Sequence, residues 1–113
     1  MSQMIDLTLP STVPGRTLHA FRCVPEGEVR AILQLSHGMV EFIDRYKPLA
    51  ESLAQRGILV TGNDHLGHGG SIRTKADYGY FAEPDGNRAV LEDLHAVTVL
   101  TKQLYPGVPY FLL

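Results

Sequence analysis

Apolar residues recur along this chain with two periods, and the period changes mark its elements. From Met4 to Leu9 the apolar side chains at Ile5, Leu7 and Leu9 alternate with polar ones, the spacing of a strand with one wet face. Pro10, Pro14 and Gly15 enclose a turn. Thr17 to Val24 then reads as a second strand, with Leu18, Ala20 and Arg22 on one face and His19, Phe21 and Cys23 on the other, so the two pair as a hairpin. A further turn at Pro25-Glu26-Gly27-Glu28 leads into Val29 to Ser36. Here Ala31, Ile32, Leu33 and Leu35 are too densely apolar for a half-exposed strand and predict a central one covered on both faces. Ser36, His37 and Gly38 end the run abruptly.

From Tyr46 the spacing becomes helical, with Tyr46, Leu49, Ala50, Leu53 and Ala54 on one face. Pro48 must lie in the first turn of this helix, Asp44 is a candidate N-cap, and Gly57 is a natural stop. Ile58 to Thr61 is another short apolar strand. A strand, a helix and a strand with short connections imply a parallel pair with a right-handed crossover. The stretch from Asn63 to Pro84 has no sustained period and carries several glycines with Tyr78, Tyr80 and Phe81. Asp85 or Asn87 can cap a second helix whose apolar face is Val90, Leu94, Val97 and Leu104, with Thr101 filling the gap. Tyr105-Pro106-Gly107-Val108-Pro109 stops it, and Tyr110 to Leu113 begins a last strand. The pattern is α/β, without repeats or linkers.

Composition narrows the classes. A length of 113 residues fits one domain, short for a complete α/β enzyme. Ten basic against twelve acidic residues give a net charge of -2, which makes no electrostatic case for nucleic acid or an acidic membrane surface. The single Cys23 forms no internal disulfide, and the first residues lack the regions of a signal peptide, so the expected compartment is cytoplasmic. No apolar run approaches the ~20 residues that span a bilayer, so stable membrane insertion is not expected.

Two stretches stand at the C-terminal ends of predicted parallel strands, where open α/β sheets bind ligands: His37-Gly38-Met39 and Asp64-His65-Leu66-Gly67-His68-Gly69-Gly70-Ser71. Taken alone, His37-Gly38 is either an ordinary turn or a ligand-facing one. Asp64, His65 and His68 are ligand types for a metal but lack a further well-placed partner, so a structured loop is the plainer reading and no metal is expected. Gly67-His68-Gly69-Gly70 is neither a Walker loop nor a dinucleotide fingerprint, and no cofactor follows from it. Glu92 and Asp93 are expected in solvent, Tyr78, Tyr80 and Phe81 in packing, and His19 and His95 carry no specific signal.

Together these stretches do more. His37-Gly38-Met39-Val40-Glu41, then Arg45-Tyr46 at a helix start, then Asp64 to Ser71, and finally Tyr105-Pro106-Gly107-Val108-Pro109-Tyr110-Phe111-Leu112-Leu113 resemble the monoacylglycerol lipase and lysophospholipase branch of the α/β hydrolases, also grouped as serine aminopeptidase S33-like hydrolases. Val40, where the related epoxide-hydrolase branch has proline, favours the lipase-like branch. The resemblance runs from Val29 to the end, and the first two strands are compatible with it. It implies a mostly parallel sheet in the order 1-2-4-3-5 with an antiparallel N-terminal hairpin and helices on both faces.

The resemblance also implies serine hydrolysis of small acyl esters such as monoacylglycerol or lysophospholipid. No Gly-x-Ser-x-Gly occurs in the chain, and the resemblance puts the nucleophile elbow just after a strand like Tyr110 to Leu113. Residues 1–113 are therefore expected to form one partial hydrolase domain, cut just before the elbow and inactive alone, with all three triad members outside it. By resemblance the backbone N–H of Met39, on the loop made by His37 and Gly38, is an oxyanion-hole donor. Glu41, Arg45, Asp64, His65, Gly67, His68 and Gly69 are expected to support it. The rival expectations are a non-catalytic hydrolase-like protein that binds a lipid or a partner, and a nucleotide-binding α/β domain. The oligomeric state is left open.

Overall fold

The computed structural model describes residues 2–38, 42–71 and 86–113. Strands β1 (Gln3–Pro10) and β2 (Thr17–Val24) form the hairpin, antiparallel from Gln3 opposite Val24 to Pro10 opposite Thr17. Three further strands, β3 (Ala31–Leu35), β4 (Ile58–Asn63) and β5 (Tyr110–Leu112), complete one sheet in the order β1-β2-β4-β3-β5. β3 is parallel to both β4 and β5, whereas β2 is antiparallel to both its neighbours, so β2 alone runs against the other four. This is the order and the mostly parallel sense that the motifs imply.

Alternation along β3 decides which helix covers which face. Leu33 and Leu35 pack with Phe21, Cys23 and Val60 against Ala50 and Ala54 of α1 (Lys47–Ala54). Gln34 points the other way, to α2 (Gly86–Leu104), where its Nε2 donates to the Leu94 carbonyl at 2.9 Å. Successive side chains of a strand face opposite sides, so the helices lie on opposite faces of the sheet. Gln34 is fully buried, and its Oε1 accepts from Thr98 Oγ1 at 2.6 Å and from the Tyr110 hydroxyl. One side chain thus ties β3 to α2 and β5, and its hydrogen bonds offset the cost of burying an amide.

Three local details differ from the sequence expectation. Asp44 does not cap α1: a 3₁₀ turn at Ile43–Tyr46 precedes the helix, its cap residue Tyr46 makes no side-chain cap bond, and Pro48 sits in the first helical turn. Leu49 is 43% exposed, so the buried face of α1 is Ala50 and Ala54 with Tyr46 and Leu53 packed beside them. Past the helix, the Gly57 N–H returns to the Ala54 carbonyl at 3.0 Å with φ +84°, a conformation that glycine adopts without a Cβ penalty.

The third concerns Asp93, which is 1% exposed and not in solvent. Ala89, Asp93, Val97 and Thr101 fall four apart, and this line is the buried face of α2, while Leu104 is 49% exposed. The Asp93 carboxylate accepts from Ser11 Oγ at 2.8 Å, from the Thr12 N–H at 2.7 Å and from Thr12 Oγ1 at 2.9 Å. A buried charge is tolerable there because the hairpin turn supplies its donors. Glu92 does face water, paired with Arg88 Nε at 2.8 Å. Of the two residues offered as caps for α2, Asn87 falls inside the helix and Asp85 lies outside the described residues, as do Tyr78, Tyr80 and Phe81.

Candidate active site

β3 and β4 run in register from Ala31 beside Ile58 to Leu35 beside Gly62, so Ser36-His37-Gly38 and the segment after Asn63 emerge side by side. On the other flank of β3, the Ser36 N–H donates to the Leu113 carbonyl at 2.8 Å and the Leu113 N–H donates to the Gln34 carbonyl at 2.9 Å. The chain thus winds to opposite sides of β3, and the carboxyl ends of β3 and β5 border the crevice where such sheets take their ligands.

His37 is buried at this edge, and its two ring nitrogens have different partners. Nε2 accepts the His65 backbone N–H at 3.0 Å. It therefore carries no proton, and the hydrogen of the neutral ring sits on Nδ1, which donates to the Gly38 carbonyl at 2.7 Å. The Asp64 carboxylate lies 4.0 Å from the same Nε2, beyond hydrogen-bond reach, and the His65 N–H stands in the place an imidazolium proton would need.

Asp64 has other work. One oxygen accepts the Ile43 N–H at 2.6 Å and the other accepts the Gly70 N–H at 2.9 Å. A buried carboxylate thereby ties the 3₁₀ turn after the first motif to the loop of the second. That loop folds back on itself through His68 N–H to the His65 carbonyl at 3.0 Å, with Gly67 inside the turn at φ +78°, and through Ser71 N–H to the His68 carbonyl at 2.9 Å. Gly69 is required twice over: its φ is +47°, and a Cβ there would stand 2.5 Å from the Asp64 carboxylate.

The three histidines pack as a cluster, with ring centroids 4.2 Å apart for His37 and His65, 5.0 Å for His37 and His68, and 6.3 Å for His65 and His68. Burial pushes His65 down to about 4, so its ring is neutral near pH 7. Its Nε2 lies 3.2 Å from Ser36 Oγ. His68 donates from Nδ1 to the Leu66 carbonyl at 3.1 Å. Asp64, His65 and His68 are not among the described residues whose ligand atoms gather within 4.8 Å of one another. Among the described residues, Asp6, His19 and Asp44 do bring ligand atoms within 4.8 Å of one another, but the Lys47 ammonium stands 2.9 Å from Asp6 and 3.6 Å from Asp44, a cation already in place. Its hydrogen bond holds Asp6 below its ordinary range.

The site residues expected from sequence divide accordingly. His37, Gly38, Asp64, His65, Gly67, His68 and Gly69 assemble at one sheet edge; Met39 and Glu41 lie outside the described residues. Arg45 is exposed in the 3₁₀ turn, its N–H bonded to the Phe42 carbonyl at 3.3 Å. Sequence reasoning placed Ser71 only as the end of the second motif and missed two further participants. Ser71 Oγ accepts the His19 N–H at 3.0 Å and donates to the Asp64 carbonyl at 2.8 Å. His19, assigned no role, accepts the Asp64 N–H on its carbonyl at 2.7 Å and donates from its ring Nε2 to Asp44 at 2.8 Å. Ser36 was read only as the end of a strand. The position of Ser71 at the close of the second motif was the one available signal.

Sheet order, helix placement and a buried motif at the strand ends define an α/β-hydrolase sheet. Residues 27–113 match the family described as Serine aminopeptidase, S33, and the chain belongs to it. It is 42% identical to the monoglyceride lipase homolog of Monkeypox virus over 74% of its own length and 28% of that protein's. With the monoglyceride lipase of Homo sapiens it shares 35% identity, covering 96% of this chain and 34% of the relative. Its backbone superposes on a thermostable carboxyl esterase from Bacillus coagulans with a TM-score of 0.85 at 25% identity, covering 99% of this chain and 36% of that one. The chain thus spans about a third of the length of the curated relatives it matches. Among the described residues no helix is long and apolar enough to cross a membrane.

Proposed function

We propose that this chain is one partial α/β-hydrolase domain, supplying the oxyanion side of a serine hydrolase that cleaves single-chain acyl esters of the monoacylglycerol or lysophospholipid type. The observation that carries the reading is the Gly38 carbonyl drawn onto the buried, neutral His37 ring. That contact anchors the turn at Gly38, and by resemblance the next residue in the sequence, Met39, supplies the backbone N–H of the oxyanion hole. In the reaction the serine expected after β5 adds to the ester carbonyl, and the charge gathering on the carbonyl oxygen is met by the Met39 N–H. His37, Gly38, Asp64, His65, Gly67, His68 and Gly69 hold the turn, and by resemblance Glu41 and Arg45 have supporting roles. Monoglyceride lipases among the relatives support the substrate class. Cys23, a buried free thiol, suits a reducing compartment, and we place the activity in the cytoplasm.

The test is fatty-acid release by the protein made from its own gene, offered monooleoylglycerol, a lysophosphatidylcholine and a diacylglycerol, with fluorophosphonate labelling to find the serine. Release from the first two in preference to the third supports the reading. Residues 1–113 by themselves contain no Gly-x-Ser-x-Gly and are expected to release nothing. A folded gene product that neither releases fatty acid nor takes the label would sink the proposal.

A further inference from the structure

Ser36 and His65 make a polar contact at the crevice to which neither the motif nor the oxyanion loop gives a role. Ser36 is exposed at the end of β3, with its main chain bonded to Leu113 beside β5. Its Oγ is 3.2 Å from His65 Nε2, while His65 Nδ1 is buried and has no hydrogen-bond partner among the described residues. The ring is neutral, held near 4 by burial, and so carries one N–H. Two arrangements exist. With the proton on Nδ1, a buried donor would go unsatisfied and lose its hydration without return. With the proton on Nε2, only an acceptor lone pair is bare, which proteins tolerate more readily. The second arrangement makes His65 Nε2–H the donor and Ser36 Oγ the acceptor.

We infer that Ser36 is a substrate-binding residue: its oxygen is taken up by the His65 Nε2–H, and its hydroxyl hydrogen is left to donate to an oxygen of the acyl ester held between the ends of β3 and β5. This rests on the proposed ester-hydrolase reading and adds a side-chain donor to the main-chain donor at Met39. The same geometry keeps Ser36 from acting as a nucleophile with His65 as its base, since the nitrogen facing the hydroxyl already carries the proton.

The experiment has two readouts on the protein made from its own gene. Long-range proton–nitrogen NMR of the His65 ring is expected to show a protonated Nε2 and a bare Nδ1 near pH 7; the opposite tautomer overturns the inference. In hydrolysis of monooleoylglycerol, Ser36→Ala is expected to lose about three- to tenfold in kcat/KM, the usual worth of one neutral hydrogen bond, and Ser36→Thr, which keeps the hydroxyl, to stay within about twofold of the parent. Circular dichroism checks that each variant is folded. A folded Ser36→Ala at the parental rate, or a Ser36→Thr as impaired as Ser36→Ala, removes the inference and leaves the hydrolase reading standing. A parent that hydrolyses no ester removes both.

Discussion

The backbone N–H of His65 at the end of β4 donates to Nε2 of His37 at the end of β3 across 3.0 Å, so one strand sets the tautomer of its neighbour's histidine. From that bond the order runs outward: the His37 proton is placed on Nδ1, and the Gly38 carbonyl is drawn onto it. The His65 main chain thus acts on the site through His37, while its ring meets Ser36. Both depend on neutral rings at His37 and His65.

Acid is therefore expected to destabilise the protein before its carboxylates titrate. The folded pKa of His65 is near 4 against an ordinary value of 6.5, so the unfolded chain takes up the proton first as pH falls. The contribution is fully present above pH 6.5 and is lost on the way down toward pH 4, with a slope of at most about 1.4 kcal/mol per pH unit, reduced by solvent screening of the ring. Urea unfolding across this range measures it. His65→Gln, which has no proton to take up, should flatten that part of the curve; an equal slope in both proteins would assign the acid sensitivity elsewhere.

Gly69→Ala and Gly107→Ala separate backbone strain from collision. Both glycines have positive φ, +47° and +77°, but nothing lies within 4 Å of a Cβ at Gly107, whereas one at Gly69 would stand 2.5 Å from the Asp64 carboxylate. Gly107→Ala is expected to cost about 1 kcal/mol and Gly69→Ala about 3 kcal/mol or more, because Asp64 must also leave the Ile43 and Gly70 N–H groups. Equal shifts in the unfolding midpoint would show that Asp64 gives way freely.

Asp93→Ala strips the hairpin turn of its acceptor and leaves the Thr12 N–H and two hydroxyls to find others. A loss on the order of 3 kcal/mol is expected, since hydrogen bonds to a charged group are worth about 1.5–3 kcal/mol each and the freed donors rehydrate only in part. The adjacent Glu92→Ala, on the solvent side of the same helix, should change stability by less than about 0.5 kcal/mol. Chemical denaturation of the pair checks the contrast, and comparable losses would contradict the burial of Asp93.

At Met39 the proposed donor belongs to the main chain, so the side chain matters less than the N–H. In the protein made from its own gene, Met39→Ala is expected to keep much of the proposed ester hydrolysis. Met39→Pro, which has no N–H, should lower kcat by on the order of 10²–10³. Proline also restricts the loop, so substrate binding and circular dichroism must accompany the rates. A folded Met39→Pro enzyme that turned over short acyl esters at nearly the parental rate would end the oxyanion assignment.

The strands and helices were legible because their signal is local: alternation at Ile5, Leu7 and Leu9, the dense run at Ala31 to Leu35, and Gly57 after a helical period each report burial within a few residues. Sheet order and family followed from motifs at strand ends, His37-Gly38 and Asp64 to Ser71, together with the Tyr105 to Leu113 stretch. What tertiary structure decided was the partner of each polar group. Asp93 reads as a surface acid until Ser11 and Thr12, more than 80 positions away, close over it, and Asp44 reads as a cap until His19 and Lys47 take its carboxylate. The role of Ser36 and the proton position on His37 likewise depend on His65, which the parallel register of β3 and β4 brings alongside from 28 or 29 positions away. A hydrophobic period survives in any fold that buries it, whereas a hydrogen bond needs one donor aimed at one acceptor. That aim exists only once strands distant in the chain lie side by side.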